Sequence, residues 1–328
     1  MPTPERAVPA PRAAVWLAIL ILYVVWGSTY LGIRIAIETI PPFLMASTRF
    51  LIAGLIMIGA VAIVRRGALV RPSLVELRDS FIVGAMLMGG GMGAVAWGEQ
   101  TVPSGITALL IAMMPVWIAV FGRVFLGERL PRAATVGIAT GMLGVVILVG
   151  PSVAIDRSLD PAGIVALIIS PISWAAGSLF SANRARLPKD PFLTTGMQMF
   201  AGSTVLAAAS LLSGELRSFR VETVTTDSLI AVVYLTAVGS LLAFTSYAWV
   251  LRHAPLPLIA TYAFVNPIVA VFLGWLILQE QVTPRQLIAG AVIVVGVGLI
   301  VAARSRMTSV RPRPAPSRSA IEDEAAAA

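Results

Sequence analysis

The sequence predicts an all-α integral membrane protein of ten transmembrane helices in two inverted five-helix repeats, and three observations predict it. Of 328 residues, 58% are hydrophobic and 12% charged, with a mean hydropathy of +0.90, whereas soluble domains carry about 45–50% apolar and about 25% charged residues. The chain divides into ten apolar runs, each near the ~20 residues that a helix rising ~1.5 Å per residue needs to cross a ~30 Å hydrocarbon core. Finally, the second half of the chain repeats the first. With no cysteine and one histidine, His253, disulfides, thiol chemistry and a histidine- or cysteine-built metal site are excluded, and no cofactor is expected.

In order, spans are expected near 14–36, 43–64, 80–99, 104–126, 133–150, 161–182, 192–213, 227–250, 256–278 and 285–303. The first run is full length and followed by nine more, so it reads as a span rather than a cleavable leader. The second follows Pro41 and Pro42, the fourth follows Pro103, and the fifth lies between Pro131 and Pro151. Asp160-Pro161 and Asp190-Pro191 open the sixth and seventh, while Pro284 opens the tenth. The eighth starts at Asp227, and the ninth carries Pro267 internally. These breaks give a cytoplasmic N-tail at 1–13, halves at 14–150 and 151–303, and a tail at 304–328 whose Pro, Arg, Ser and Ala content predicts disorder.

Charge predicts the orientation. With the N-terminus inside, the inner segments hold seventeen of the 24 Lys and Arg residues, from Arg6 and Arg12 through Arg65, Arg66, Arg71 and Arg78 to the tail. The outer segments hold Arg157, Arg217, Arg220 and Arg285, and Arg34, Arg49 and Arg123 fall within spans. The positive-inside rule therefore places both termini in the cytoplasm. The net charge of +8 follows from the same bias. It is spread over loops with no reading motif, so no nucleic-acid partner is expected.

A shift of 152 residues aligns 96–128 with 248–280 without a gap, matching Ala96/Ala248, Trp97/Trp249, Pro103/Pro255, Ala108/Ala260, Pro115/Pro267, Gly122/Gly274, Leu126/Leu278 and Glu128/Glu280. Trp26 and Ser28 are echoed by Trp174 and Ser178. Five spans is an odd number, so the second half enters the membrane from the opposite side. Inverted halves give two arrangements of similar energy, each open to one side, with solute held between them; this predicts a transporter. The alternative is that duplication is only history.

The runs WGSTYLGIRIAIETIPPFLMASTRFLIAG (26–54), VPSGITALLIAMMPVWIAVFGRVFLGE (102–128), SWAAGS (173–178) and YAFVNPIVAVFLGWLILQE (262–280) resemble the EamA-type drug/metabolite transporter superfamily, over about 15 to 303. The resemblance implies ten spans, a bacterial inner membrane and export of small metabolites or amino acids. Gln279 departs from the pattern, since the first half has Gly127 before its Glu, and it predicts a less permissive second hinge.

Polar and amphipathic groups deep in spans mark a cavity, because they are costly in lipid. Tyr23, Trp26, Tyr30 and Arg34 form one stripe at spacings of three and four. Trp26 is too deep for an interfacial belt. Ser170, Trp174, Ser178 and Ser181 share a face of the sixth span, Ser240, Phe244 and Tyr247 one of the eighth, and Tyr262 and Asn266 one of the ninth. The expected solute-binding set is Trp26, Tyr30, Trp97, Trp174, Ser178, Tyr247, Tyr262 and Asn266, on spans one, three, six, eight and nine, with span four completing the wall. Pro115 and Pro267 are expected hinges, since proline removes a backbone donor and frees a carbonyl one turn back. For each serine, helix packing is the competing reading.

Arg49 lies inside the second span, where an arginine at the centre costs about 2.5–3.5 kcal/mol and needs a partner or water. Arg34, Arg49 and Glu99, with Glu38 nearby, are expected in the outer half as a gate or anion-orienting site, or as charge pairs that fix helix register. The glycine run at 84–99 and the Gly137/Gly141 spacing predict close helix contacts, the latter within the fold or in a homodimer. No Asp or Glu falls mid-span and no ATP-binding motif is present, so gradient-driven facilitated export by alternating access is expected. Amphipathic amino acids and related metabolites are the first expected cargo and drug-like compounds the second. A membrane enzyme lacks a base-and-nucleophile set, and a receptor or structural protein would lack a continuous polar cavity.

Overall fold

The computed structural model describes residues 11–65, 71–154, 159–254, 256–259 and 261–309, and these are helical with no strand. Among the described residues, nine helical segments are long and apolar enough to cross a membrane: α1 (Arg12–Ala36), α2 (Pro42–Val64), α3 (Leu74–Gly98), α4 (Ser104–Leu126), α5 (Arg132–Ala154), α6 (Pro161–Asn183), α7 (Pro191–Leu212), α8 (Thr226–Val250) and α10 (Pro284–Ser309). The apolar α9 (Tyr262–Leu278) is shorter, at 17 residues. Arg6, Arg66, Arg157 and the tail from 310 to 328 lie outside the described residues.

The helix starts follow from local chemistry. Asp160 and Asp190 accept backbone hydrogen bonds at the starts of α6 and α7, each followed by a proline at the first helical position, where a missing N–H costs nothing. Ser73 and Glu76 form a reciprocal cap on α3. That cap moves the start of α3 to Leu74, earlier than the expected residue 80, because the polar turns between them continue the helix. At the far end of the chain α10 runs on through 304–309, six residues past the expected end of the span. Ala, Arg and Met are strong helix formers and the first proline comes only at Pro312.

The loops sort onto two ends of the bundle. On the end bearing the N-terminus, Arg65 pairs with Asp190 at 2.6 Å and the Arg186 N–H donates to Asp79 at 2.7 Å. On the opposite end the Glu215 carboxylate accepts from the Phe43 and Leu44 N–H groups at 3.1 and 2.9 Å, and Glu280 accepts from Ser104 and Gly105 at 2.8 and 3.1 Å. The helices divide in another way. α2 packs along α7, and α5 along α10, all four unbroken. Lipid supplies no hydrophobic drive between helices, so these pairs rest on close van der Waals contact at small residues. A Cβ on Gly137 would stand 2.6 Å from the Gly296 carbonyl oxygen, so this face of α5 is taken by α10 of the same chain.

The remaining six segments are irregular. α1, α3 and α8 contain π-helical stretches at Leu22–Trp26, Ala85–Met92 and Leu235–Leu242. α6 carries Pro171 internally. α4 breaks at Ala112 and Met113, directly after Ile111, whose carbonyl the missing N–H of Pro115 leaves without a helical partner. The expected span at 256–278 is instead split into Leu256–Ile259 and α9. Thr261, in a turn between the two, bonds the Leu258 carbonyl through its hydroxyl and so competes with the helix ladder. Pro267 sits inside a continuous α9, so the two expected hinge prolines differ: the chain breaks at Pro115 and not at Pro267.

Candidate functional site

The six irregular segments, with α2 and α7, enclose a central cavity of about 770 Å³. Part of its wall is an aromatic cluster. The Trp26 ring lies 5.0 Å from that of Tyr262, 5.3 Å from Tyr247 and 5.6 Å from Phe244, mostly edge to face. The π-helical turn at Leu22–Trp26 widens α1 just before Trp26, and such turns recur at functional sites. It also splits the expected stripe. Trp26 and Tyr30 face the cavity, whereas the Tyr23 hydroxyl bonds to Thr261.

α1 and α9 cross closely, since a Cβ on Gly27 would stand 2.6 Å from the Val269 Cβ. There, with its amide turned so that both polar atoms are satisfied, the Asn266 nitrogen donates to the carbonyl oxygens of Tyr262 at 3.1 Å and Tyr23 at 3.2 Å. That leaves the Asn266 side-chain oxygen as an acceptor on a residue of the cavity wall. Ser170, Trp174 and Ser178 line the opposite wall, and Pro115 and Pro267 also contribute. The cavity reaches Leu187, Pro188 and Lys189, on the end that bears the N-terminus, and no lining residue comes from the loops of the opposite end.

Trp97 is not among the lining residues. On α3 these are Leu87, Met92 and Val95, and two residues beyond Val95 is about 200° around a helix, which turns Trp97 away. Gln198, Thr194 and Thr195 on α7, Thr29 on α1 and Phe50 on α2 are lining residues outside the expected set. Gln198, a buried amide deep in a span, carried the same signal that singled out Asn266.

Arg34, Arg49 and Glu99 are not joined by ion pairs among the described residues. The Arg34 guanidinium donates to the backbone carbonyls of Glu99 and, at 2.9 Å, Gln100, tying α1 to the end of α3. The Glu99 side chain is fully buried and neither of its oxygens meets a donor among the described residues. Arg49 is 3% exposed, lines the cavity and donates from Nε to the Ser240 hydroxyl at 2.9 Å. Outside the spans, backbone hydrogen bonds from Gly163 and Ala162 hold the Asp160 carboxyl below the usual carboxylate range. Burial works against Asp190, but the Arg65 hydrogen bond and two backbone N–H groups outweigh it and also hold its carboxyl low. Among the described residues no three of His, Cys, Asp and Glu come together as a metal site.

The model of the EamA-like transporter family matches residues 13–150 and again 161–302. The uncharacterized inner membrane transporter YedA of Escherichia coli is 36% identical over 284 residues, covering 86% of this chain and 89% of its own. Protein PecM of Dickeya dadantii is 28% identical over 292 residues, covering 88% and 93%. The uncharacterized transporter YoaV of Bacillus subtilis is 25% identical over 285 residues, covering 86% and 95%. A solved crystal structure is similar over 92% of this chain with a TM-score of 0.60, and at 21% identity it speaks to the fold alone.

Proposed function

The chain belongs to the EamA-like transporter family, and from that premise we propose that it is a secondary transporter that exports small amphipathic metabolites, amino acids first, by alternating access. The observation that carries the reading is the aromatic-walled cavity, which reaches one end of the bundle and takes no lining from the loops of the other. A cavity of about 770 Å³ is within the range that holds a metabolite-sized solute. In this reading α9 is the tenth span, the two halves are inverted repeats, and both termini are cytoplasmic in a bacterial inner membrane. The cavity then faces the cytoplasm.

Access alternates as the irregular helices repack against the paired frame of α2 with α7 and α5 with α10. Trp26, Tyr247 and Tyr262 receive the apolar part of the solute, and Asn266, Ser170 and Ser178 its polar groups. Arg34, holding the end of α3 by its carbonyls, and the buried Glu99 belong to the outer gate. Drug-like cargo is the second reading, favoured by the predominantly apolar wall; a non-transporting receptor is the alternative of another class.

The test is uptake and counterflow of a labelled amino-acid and metabolite panel in proteoliposomes, comparing the native chain with Trp26→Ala and Asn266→Ala. Counterflow of one solute class, lost in both variants while they stay folded, is the expected result. Normal transport by both variants would overturn the cavity assignment, and pH-independent flux would support a uniporter.

A further inference from the structure

The charges on the cavity wall are one-sided. Arg49 is the deep cation, Lys189 stands at the mouth, and no Asp or Glu is among the lining residues. Arg49 is buried, and α2 carries no other charged side chain. Its Nε is satisfied by Ser240, and its guanidinium carbon lies 4.8 Å from the centre of the Phe50 ring. Neither contact neutralises the charge, and its two terminal nitrogens make no hydrogen bond to any described residue. An arginine held this way would ordinarily be paired with a carboxylate, because a buried charge without a counter-charge is costly. Glu99 is not its partner, and the Glu215 carboxylate is engaged with Ser210 and with the start of α2. Gly239 keeps the space beside the guanidinium open on α8, where a Cβ would stand 3.2 Å from a terminal nitrogen.

We propose that Arg49 is an oxyanion-binding subsite of the central cavity, and that the transported solute carries a carboxylate on an apolar, ring-sized body. The inference rests on the transport reading and narrows its cargo. The solute supplies the counter-charge that the protein withholds, through the planar two-pronged pairing that guanidinium offers a carboxylate. A single deep guanidinium matches a monoanion, whereas a phosphate dianion calls for a second cation at the same depth. The aromatic cluster receives the body. Ser240 and Phe50 aim the guanidinium, and Ser240 occupies Nε alone, so the paired terminal nitrogens are the ones left for the solute.

Three probes of one shape separate the charges: 3-phenylpropanoate, its neutral amide and phenethylamine. Binding to the purified full chain is read from tryptophan fluorescence, because Trp26 and Trp174 line the cavity, and uptake is read in proteoliposomes. The native chain should prefer the carboxylate over the amide by about tenfold or more, the scale of a desolvated charge-assisted pair. Arg49→Gln should abolish that preference while leaving amide binding within about twofold, an effect confined to the carboxylate partner. Arg49→Lys keeps the charge but not the fork, so it should retain a weakened preference; it serves as the test where Arg49→Gln does not fold. Equal binding of carboxylate and amide by the native chain overturns the subsite and leaves transport standing, as does a preference that survives Arg49→Gln. No binding or uptake of any of the three overturns the subsite, and the broader counterflow panel then decides the transport reading separately.

Discussion

Replacing Glu280 by alanine removes a cap that one half of the chain places on the other. The carboxylate bridges the backbone N–H groups of Ser104 and Gly105 at 2.8 and 3.1 Å, at the first turn of α4, where Ser104 is fully buried. A hydrogen bond to a charged group contributes about 1.5–3 kcal/mol, and a buried donor left unmet forfeits about as much. Glu280 is only half-buried, so two such bonds are discounted for solvent to a loss of roughly 2–4 kcal/mol. Glu280→Gln keeps one acceptor oxygen without the charge and should lose about half of that. The assay is thermal unfolding of the purified chain in detergent, followed by tryptophan fluorescence, in which each kcal/mol is worth roughly 2–4 °C for a chain of a few hundred residues. The expected order of stability is native, Glu280→Gln, Glu280→Ala. An alanine variant that melts with the native chain would refute the assignment of energy to this bridge.

Gln279 adopts φ 56°, the only positive φ among the described non-glycine residues, and Gly127 at the matching position of the first half has φ 66°. Left-handed backbone costs an L-residue about 1 kcal/mol, and glycine gives back roughly half of that in unfolded-chain entropy; Gln279→Gly should therefore raise the melting temperature slightly, and Gly127→Ala, with open space around it, should lower it. A Cβ on Gly296 would meet the Gly141 backbone nitrogen at 2.5 Å and the Gly137 carbonyl oxygen at 2.8 Å, so Gly296→Ala should cost about 1–3 kcal/mol by forcing α5 and α10 apart, read in the same melt. Because the folded Asp160 carboxyl lies below its unfolded value of about 3.9, its contribution is fully present above that value and is lost as pH falls through it toward the folded pKa. Melts from neutral pH to about pH 3 should fall less steeply in Asp160→Asn than in the native chain.

The sequence is most legible where a chemical rule ties a residue to one environment. Aromatic groups too deep for an interface, Trp26 and Tyr30, stand in the cavity wall, and so do Asn266 and Trp174. Trp97 does not, because its assignment needed the phase of α3, and a π-helical stretch at Ala85–Met92 lies between it and the start of that helix. Proline content misleads in the same way. Pro115 and Pro267 are equivalent in the repeat, yet α4 breaks at one and α9 passes through the other, so the residue type alone does not locate a break. The charge trio was legible as buried charge but not as pairing. Arg34 found carbonyl oxygens and Arg49 found a hydroxyl, partners that a search for opposite charges does not reveal. The Gly137 spacing left packing and dimerisation open, and only the position of Gly296 shows which surface it uses.

The brevity of α9 reaches beyond the protein itself. At 17 residues and ~1.5 Å per residue it measures about 25 Å, short of the ~30 Å hydrocarbon core. Tilting only shortens its reach further, so under the ten-span reading either the Leu256–Ile259 segment completes the crossing or the surrounding lipid thins to meet α9. Ile268, Phe272 and Trp275 on the exposed side of this helix would carry that deformation, and Asn266 and Tyr262 on its other side would feel it. Acyl-chain length thus becomes a control on the cavity: short-chain membranes relax α9, and long-chain membranes load it.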